Sequence, residues 1–177
     1  MPRFTLRSVS LVLGVLLVAG FWVLAGHAVS GFGLGGVSAV NRISEVWAEG
    51  INLKTGLFPV KLIRVEPVLP DGVAVTRLYV VDRRSLVGGI REDPGSLPFL
   101  RAAELPESGL DVPSFNELQI VPVFRFSQSG AYTLGDVSVV YSVLGLRFRT
   151  TVTASGSGVI KVWNPEAGEN QPPVGGS

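Results

Sequence analysis

"DVSVVYSVLGLRFRTTVTA", residues 136–154, decides how the rest of this chain is to be read. Val137, Val139, Tyr141 and Val143 alternate along one run, and Leu146, Phe148, Thr150 and Val152 alternate along the next. That period of two is the mark of a half-buried strand. A two-residue turn at Leu144-Gly145 makes 143/146, 141/148, 139/150 and 137/152 the cross-strand pairs, so the two apolar series face one another. The opposite face, with Ser138, Ser142, Arg147, Arg149 and Thr151, is then expected to be wet. Leucine is not a favoured residue before the glycine of such a turn, which leaves a slightly longer loop open.

Outward from this hairpin the chain continues in strands. "LFPVKLIRVEPVL" (57–69) and "GVAVTRLYVV" (72–81) are joined by Pro70-Asp71-Gly72, where proline fixes φ and glycine accepts a positive φ. "ELQIVPVFRF" (117–126) sets Leu118, Ile120, Phe124 and Phe126 on one face, and Pro122 points to an edge strand or a bulge. "GVIKVW" (158–163) closes the domain, and the first strand material lies near Ile43 to Ala48. About seven strands with Gly and Pro turns predict an all-β, immunoglobulin-like antiparallel β-sandwich over 42–163.

The run "GAYTLGDVSVVY", Gly130 to Tyr141, resembles the late strands of immunoglobulin-like and fibronectin-type domains, where a tyrosine after a turn enters a central strand. In this the chain is similar to bacterial membrane-anchored proteins that carry an extracytoplasmic sandwich. The cysteine pair and central tryptophan of true immunoglobulin domains are absent, so the resemblance implies the architecture alone.

Residues 83–117 interrupt the strand pattern and are too long for an ordinary connection. Ser96 with Pro98 behind it suggests an N-cap and a short helix through about Glu104. That helix either plugs an open end of the sandwich with Leu97, Phe99 and Leu100, or presents a recognition surface.

At the N-terminus, Val9 to Ala28 carry no formal charge, and at 1.5 Å per residue such a run spans roughly 30 Å, a bilayer's hydrocarbon thickness. Arg3 and Arg7 precede it and no basic residue follows until Arg42, so residues 1–8 are expected in the cytoplasm and the domain outside. Trp22 suits the outer interface. A signal peptide, cut after Ala25 or Ala28 so that the domain is secreted, is the competing reading, although signal cores usually run about 7–15 residues. "GFGLGG" within 29–41 reads as a Gly-rich linker, and 164–177 as a disordered tail.

The chain has 177 residues, a net charge of +1, no cysteine and one histidine. The charge argues against a nucleic-acid partner. His27 lies at the membrane end, where it cannot serve a Ser-His-Asp site or a His-based metal centre in the domain. Lys54, Lys61 and Lys161 accompany no recognisable Ser motif. Glu92, Asp93, Glu104, Glu107 and Asp111 match no calcium-loop spacing and read as a solvated acidic surface. No catalytic residue, cofactor, metal site or small-molecule substrate is expected.

The expected function is non-enzymatic: a single-pass membrane protein presenting its sandwich to a protein partner, as an accessory subunit of an envelope complex. The candidate contact residues are Arg83, Arg84, Phe99, Arg101, Phe115, Arg147 and Arg149. The alternative is a module that binds cell-wall polymer or carbohydrate, with Arg147 and Arg149 for an acidic polymer and Tyr79, Tyr132, Phe99 and Phe115 as candidate platforms.

Overall fold

The computed structural model describes residues 6–33, 38–82, 89–153 and 158–172, the side chains of 6–9, 32 and 82 excepted. Among these residues a helix, α1 (Leu6–Gly26), is followed by thirteen strands: β1 (Val29–Phe32), β2 (Ala39–Arg42), β3 (Val46–Ala48), β4 (Ile51–Thr55), β5 (Val60–Pro67), β6 (Val73–Asp82), β7 (Ala103–Glu104), β8 (Leu110–Val112), β9 (Glu117–Phe126), β10 (Gly130–Tyr132), β11 (Val137–Val143), β12 (Leu146–Val152) and β13 (Ile160–Trp163).

One sheet runs β1-β4-β9-β6-β7 and another β12-β11-β5-β8. In immunoglobulin strand letters these are A-B-E-D facing G-F-C, the constant-type arrangement, with β7 and β8 added at the edges. Their inner faces close over one core. Ile51, Ile120, Phe124 and Phe126 come from the first sheet, and Leu62, Val137, Val139 and Tyr141 from the second. A third, small sheet has the order β10-β13-β2, with β13 parallel to β2.

The hairpin has the register its alternation dictates: Val143 pairs Leu146, Tyr141 pairs Phe148, Val139 pairs Thr150 and Val137 pairs Val152. Leu144 (φ 49°) and Gly145 (φ 83°) form a two-residue turn with both central residues left-handed. Arg147, Arg149 and Thr151 are exposed, whereas Ser138 and Ser142 are half-buried because β11 is flanked by β12 and β5.

Pro122 does not mark an edge. β9 is central, paired with β6 on one side and with β3 and β4 on the other. The neighbours accommodate the proline by irregularity. β6 shifts register between Val75 and Arg77, and β3 and β4 are separated at Glu49-Gly50, where the Glu49 amide reaches the Pro122 carbonyl at 3.4 Å.

Both faces of β9 are buried. Val121 and Val123, on the outer face, form a second cluster with Ala48, Tyr79, Val81 and Leu100. Its cover is the segment 89–104, which corrects the expected helix and end-plug. Two 3₁₀ turns, Pro94–Ser96 and Pro98–Leu100, lead into β7 instead. Asp93, rather than Ser96, is the cap, accepting the Gly95 amide at 2.9 Å.

The reading of 29–41 as a linker is also corrected. β1 lies within it and β2 begins in it, so the folded body starts before residue 42, while 34–37 fall outside the described residues. The expected tail begins with a 3₁₀ turn, Pro165–Ala167, and Glu169 folds back to accept from Ser129 Oγ and the Asn164 amide, each at 2.7 Å.

Among the described residues, α1 meets the sandwich only at its C-terminal end. Phe21 packs edge-on to Phe58 at 5.6 Å between centroids, and Trp22 to Phe148 at 5.3 Å. Ala25 and Ala28 are buried, and the Gly56 amide donates to the Ala28 carbonyl at 2.8 Å. From Ser10 to Gly20 every residue is exposed, so this part of the helix projects away from the domain with no face covered. The stretch with described side chains, Ser10–Gly26, is about 25 Å long. Among the described residues no helix is long and apolar enough to cross a membrane.

Candidate interaction site

The predicted contact residues fall on separate surfaces. Phe99 and Arg101 sit on the segment that covers the outer face of the β9 sheet. Phe99 turns away from the cluster that Leu100 enters and is 72 % exposed. Arg101, also exposed, closes the second 3₁₀ turn in a left-handed conformation (φ 48°). Arg83 and Arg84 lie outside the described residues.

An ionic knot fixes this segment to β6. Arg77 reaches Asp93 at 2.9 Å, the Tyr79 hydroxyl at 3.3 Å and Glu104 at 3.7 Å. The hydrogen bond that Arg77 donates to the Tyr79 hydroxyl, with the nearby carboxylates, holds the guanidinium above its ordinary pKa. Burial, with Asp93 beside it, pushes the Tyr79 phenol up. Asp93 and Glu104 are therefore structural ligands of an arginine rather than a free acidic surface.

Arg147 and Arg149 stand on the outer face of the β12-β11-β5 sheet. Across β11 the register aligns Arg147 with Ser142 and Lys61, and Arg149 with Val140 and Arg64. Glu66 binds Arg64 at 3.0 Å, and no ion pair to Arg147 or Arg149 occurs among the described residues. This face is polar with an excess of positive charge, Asp111 of β8 lying opposite Lys61. Tyr79 and Tyr132, the other aromatic candidates, are buried and offer no platform.

Phe115 belongs to a third surface. It lies in the loop after β8, 68 % exposed and left-handed (φ 55°), and its amide donates to the Gly56 carbonyl at 2.9 Å. Thr55 ties the same loops together: its hydroxyl donates to Pro113 O at 2.6 Å and accepts the Asn116 amide at 2.8 Å. Leu57 is thereby held beside Phe115. The hairpin turn approaches from the other sheet, since Leu144 and Gly145 share an open groove with Pro59 and Pro113. Leu57 (56 % exposed), Phe115, Leu144 (78 %) and Leu146 (43 %) so gather at the end of the sandwich that α1 enters.

Leu57, Leu144, Leu146 and Lys61 were not candidates from sequence. Only Leu144 carried a signal there, as a poor residue for its turn position.

No family model matches the chain, and no curated protein does. Among solved structures it is similar to the ASH/PapD-like domain 7 of human CEP192, with a TM-score of 0.40 and 14 % identity over 76 % of this chain and 87 % of that one. It is similar too to a family 123 glycoside hydrolase from Clostridium perfringens, with a TM-score of 0.38 and 10 % identity over 73 % of this chain and 23 % of that one. The strand order alone defines the class of the domain, an immunoglobulin-like β-sandwich.

Proposed function

We propose that this chain is a non-enzymatic, single-pass membrane protein that holds an immunoglobulin-like sandwich outside the membrane for contact with a protein partner. The observation that carries the reading is the helix. α1 is apolar around its whole circumference and no face of Ser10–Gly20 is packed, while its last turn is built into the domain. Bare apolar surface of that extent needs a cover, and lipid covers a helix on every side. In sequence the uncharged run continues to Val9 and Ala28, and Arg3 and Arg7 orient it with the domain outside.

The partner surface in this reading is Phe99 with Arg101. A large aromatic and an arginine, both exposed on a segment that is otherwise pinned, resemble the anchors that dominate protein interfaces. The non-enzymatic part rests on occupied chemistry. His27 Nδ1 donates to the Val23 carbonyl at 2.9 Å, and Arg77 holds Asp93 and Glu104.

The test uses the full chain in intact cells, with a photocrosslinking amino acid at position 99. A single discrete adduct with another protein, lost on Arg101→Glu, is expected. Adducts with this chain alone would overturn the partner assignment. Recovery of the protein in the soluble fraction after alkaline extraction of membranes would overturn the anchor.

The positive face of Lys61, Arg147 and Arg149 favours a second reading, binding of an anionic wall polymer. Salt-sensitive retention on purified wall material that disappears in Arg147→Ala/Arg149→Ala is its expected sign; equal retention of that variant would remove it.

A further inference from the structure

We propose that the end of the sandwich bearing Leu57, Phe115 and Leu144 lies in the headgroup region of the bilayer, so that the domain rests on the lipid surface rather than swinging above it. This rests on the membrane-anchor reading of α1 and goes beyond it, because an anchor needs no contact between domain and lipid.

Three observations converge. The first is placement. Outside the helix, the large apolar side chains that stay exposed among the described residues are Leu57, Phe115, Leu144, Leu146, Val68 and Phe99. Leu57, Phe115 and Leu144 belong to the loops around the helix exit and Leu146 opens β12 beside them, while Val68 lies in the β5–β6 connection and Phe99 on the outer face of the β9 sheet.

The second is backbone cost. Phe115 and Leu144 have φ of 55° and 49°, a region where a bulky side chain is strained. Neither residue is repaid by burial in the domain, being 68 % and 78 % exposed. A bulky residue held in that conformation and pointed outward is explained by something it meets there.

The third is rigidity and continuity. Thr55 ties its hydroxyl to Pro113 and Asn116, the Phe115 amide binds Gly56, and the Gly56 amide binds Ala28 at the helix exit. The apolar tips are therefore fixed relative to α1. Trp22, half-exposed against Phe148, sits where helix and tips meet, a residue suited to the interface. Arg147 and Lys61 follow the tips on the outer face of the β12 sheet, at the level where anionic headgroups would lie.

The chain has no cysteine, so single reporters can be placed at will. The full chain is reconstituted into vesicles of phosphatidylcholine and phosphatidylglycerol containing brominated lipid. A polarity-sensitive fluorophore is attached in turn at Leu57→Cys, Phe115→Cys, Leu144→Cys and Leu146→Cys. Leu16→Cys reports the helix, and Val68→Cys and Phe99→Cys report surfaces away from this end. Folding of each labelled variant is verified by its β-type circular dichroism, and Leu146→Cys provides a second reporter for the hairpin turn.

The expected result is blue-shifted emission and severalfold stronger quenching at the tips than at positions 68 and 99, with position 16 quenched most. A quenched label at 16 with aqueous tips would overturn the inference and leave the anchor standing. An aqueous label at 16 would defeat the anchor and the inference together. Tips that stay unquenched by lipid but become shielded as protein density rises would assign this end to a second copy of the chain, and so overturn the lipid contact.

Discussion

The Tyr141 hydroxyl lies 2.9 Å from the carbonyl oxygen of Ala25 and 2.8 Å from that of Gly26. The last carbonyls of a helix have no partner within it, and here a side chain from the central strand of the hairpin supplies one across more than a hundred residues. Phe148 stacks on the Tyr141 ring at 5.8 Å and touches Trp22, so one aromatic row connects the core of the sandwich to the helix. Helix and domain are one mechanical unit.

Tyr141→Phe keeps the ring and removes the donor. The Ala25 carbonyl keeps the Ala28 amide at 3.2 Å, so the change leaves the part-buried Gly26 carbonyl without its donor, at a cost of about 1 kcal/mol. Urea unfolding in detergent micelles should show a loss of that size, with faster amide exchange at His27, Ala28 and Val29. Unchanged stability and exchange would mean that water replaces the hydroxyl.

Alkaline pH should act through the same residue. Burial raises the Tyr141 pKa above the ordinary tyrosine value of about 10, although the backbone at Ala28 and Val29 works against it. Tyr79 is raised in the same direction, chiefly by burial. A raised phenol stays protonated in the folded state while its unfolded counterpart ionises, so this contribution is fully present below about pH 10 and is lost as pH climbs through the folded pKa. The unfolding midpoint should fall above pH 10, and the slope should flatten in Tyr141→Phe. A variant with the parent's slope would assign the alkaline loss to Tyr79.

Asp93 fastens the covering segment by capping Gly95 and pairing with Arg77. Asp93→Ala removes a cap worth about 1 kcal/mol, together with an exposed ion pair of small value. The effect should stay local: amide exchange should rise across 94–101 while β11 and β12 remain protected. Leu100→Ala, at a 4 % exposed site, should cost about 2–5 kcal/mol because it opens the cluster beneath. A uniform rise in exchange for Asp93→Ala would show that the segment and the sandwich unfold together.

How much of this was legible depends on where each signal lies. The hairpin register followed from alternation alone, because only one register buries Val137, Val139, Tyr141 and Val143 together. The second face of β9 was equally present in the unbroken run "IVPVF" at 120–124, the pattern of a strand covered on both sides. Pro122 points to an edge or a bulge, and the edge reading hid it, whereas the irregularity lies in the neighbouring β6. The covering segment could not form a helix because Pro94 and Pro98 each restart the chain within a single turn, and a side chain at Gly95 would collide with the Tyr79 ring. The apolar end was invisible in sequence for another reason. Leu57, Phe115 and Leu144 are brought together only by long-range bonds such as Thr55 to Asn116, which leave no periodic trace.

Leu144 offers the sharpest separation of folding from function. A turn with both central residues left-handed favours Asn before Gly, since the asparagine side chain tolerates that region and leucine does not. With φ of 49° at Leu144 and 83° at Gly145, Leu144→Asn should stabilise the domain by about 0.5–1 kcal/mol in urea unfolding. The same change deletes the most exposed apolar side chain at the end that α1 enters. In the brominated vesicles the Phe115 reporter should then be quenched less, although the domain has become more stable. A gain in stability paired with a loss of lipid contact separates the two roles of this residue, because strain relief acts on folding and hydrophobic area acts on the membrane. If Leu144→Asn instead lowers stability, the leucine packs against its own domain, and its exposed, strained conformation no longer argues for a surface beyond it.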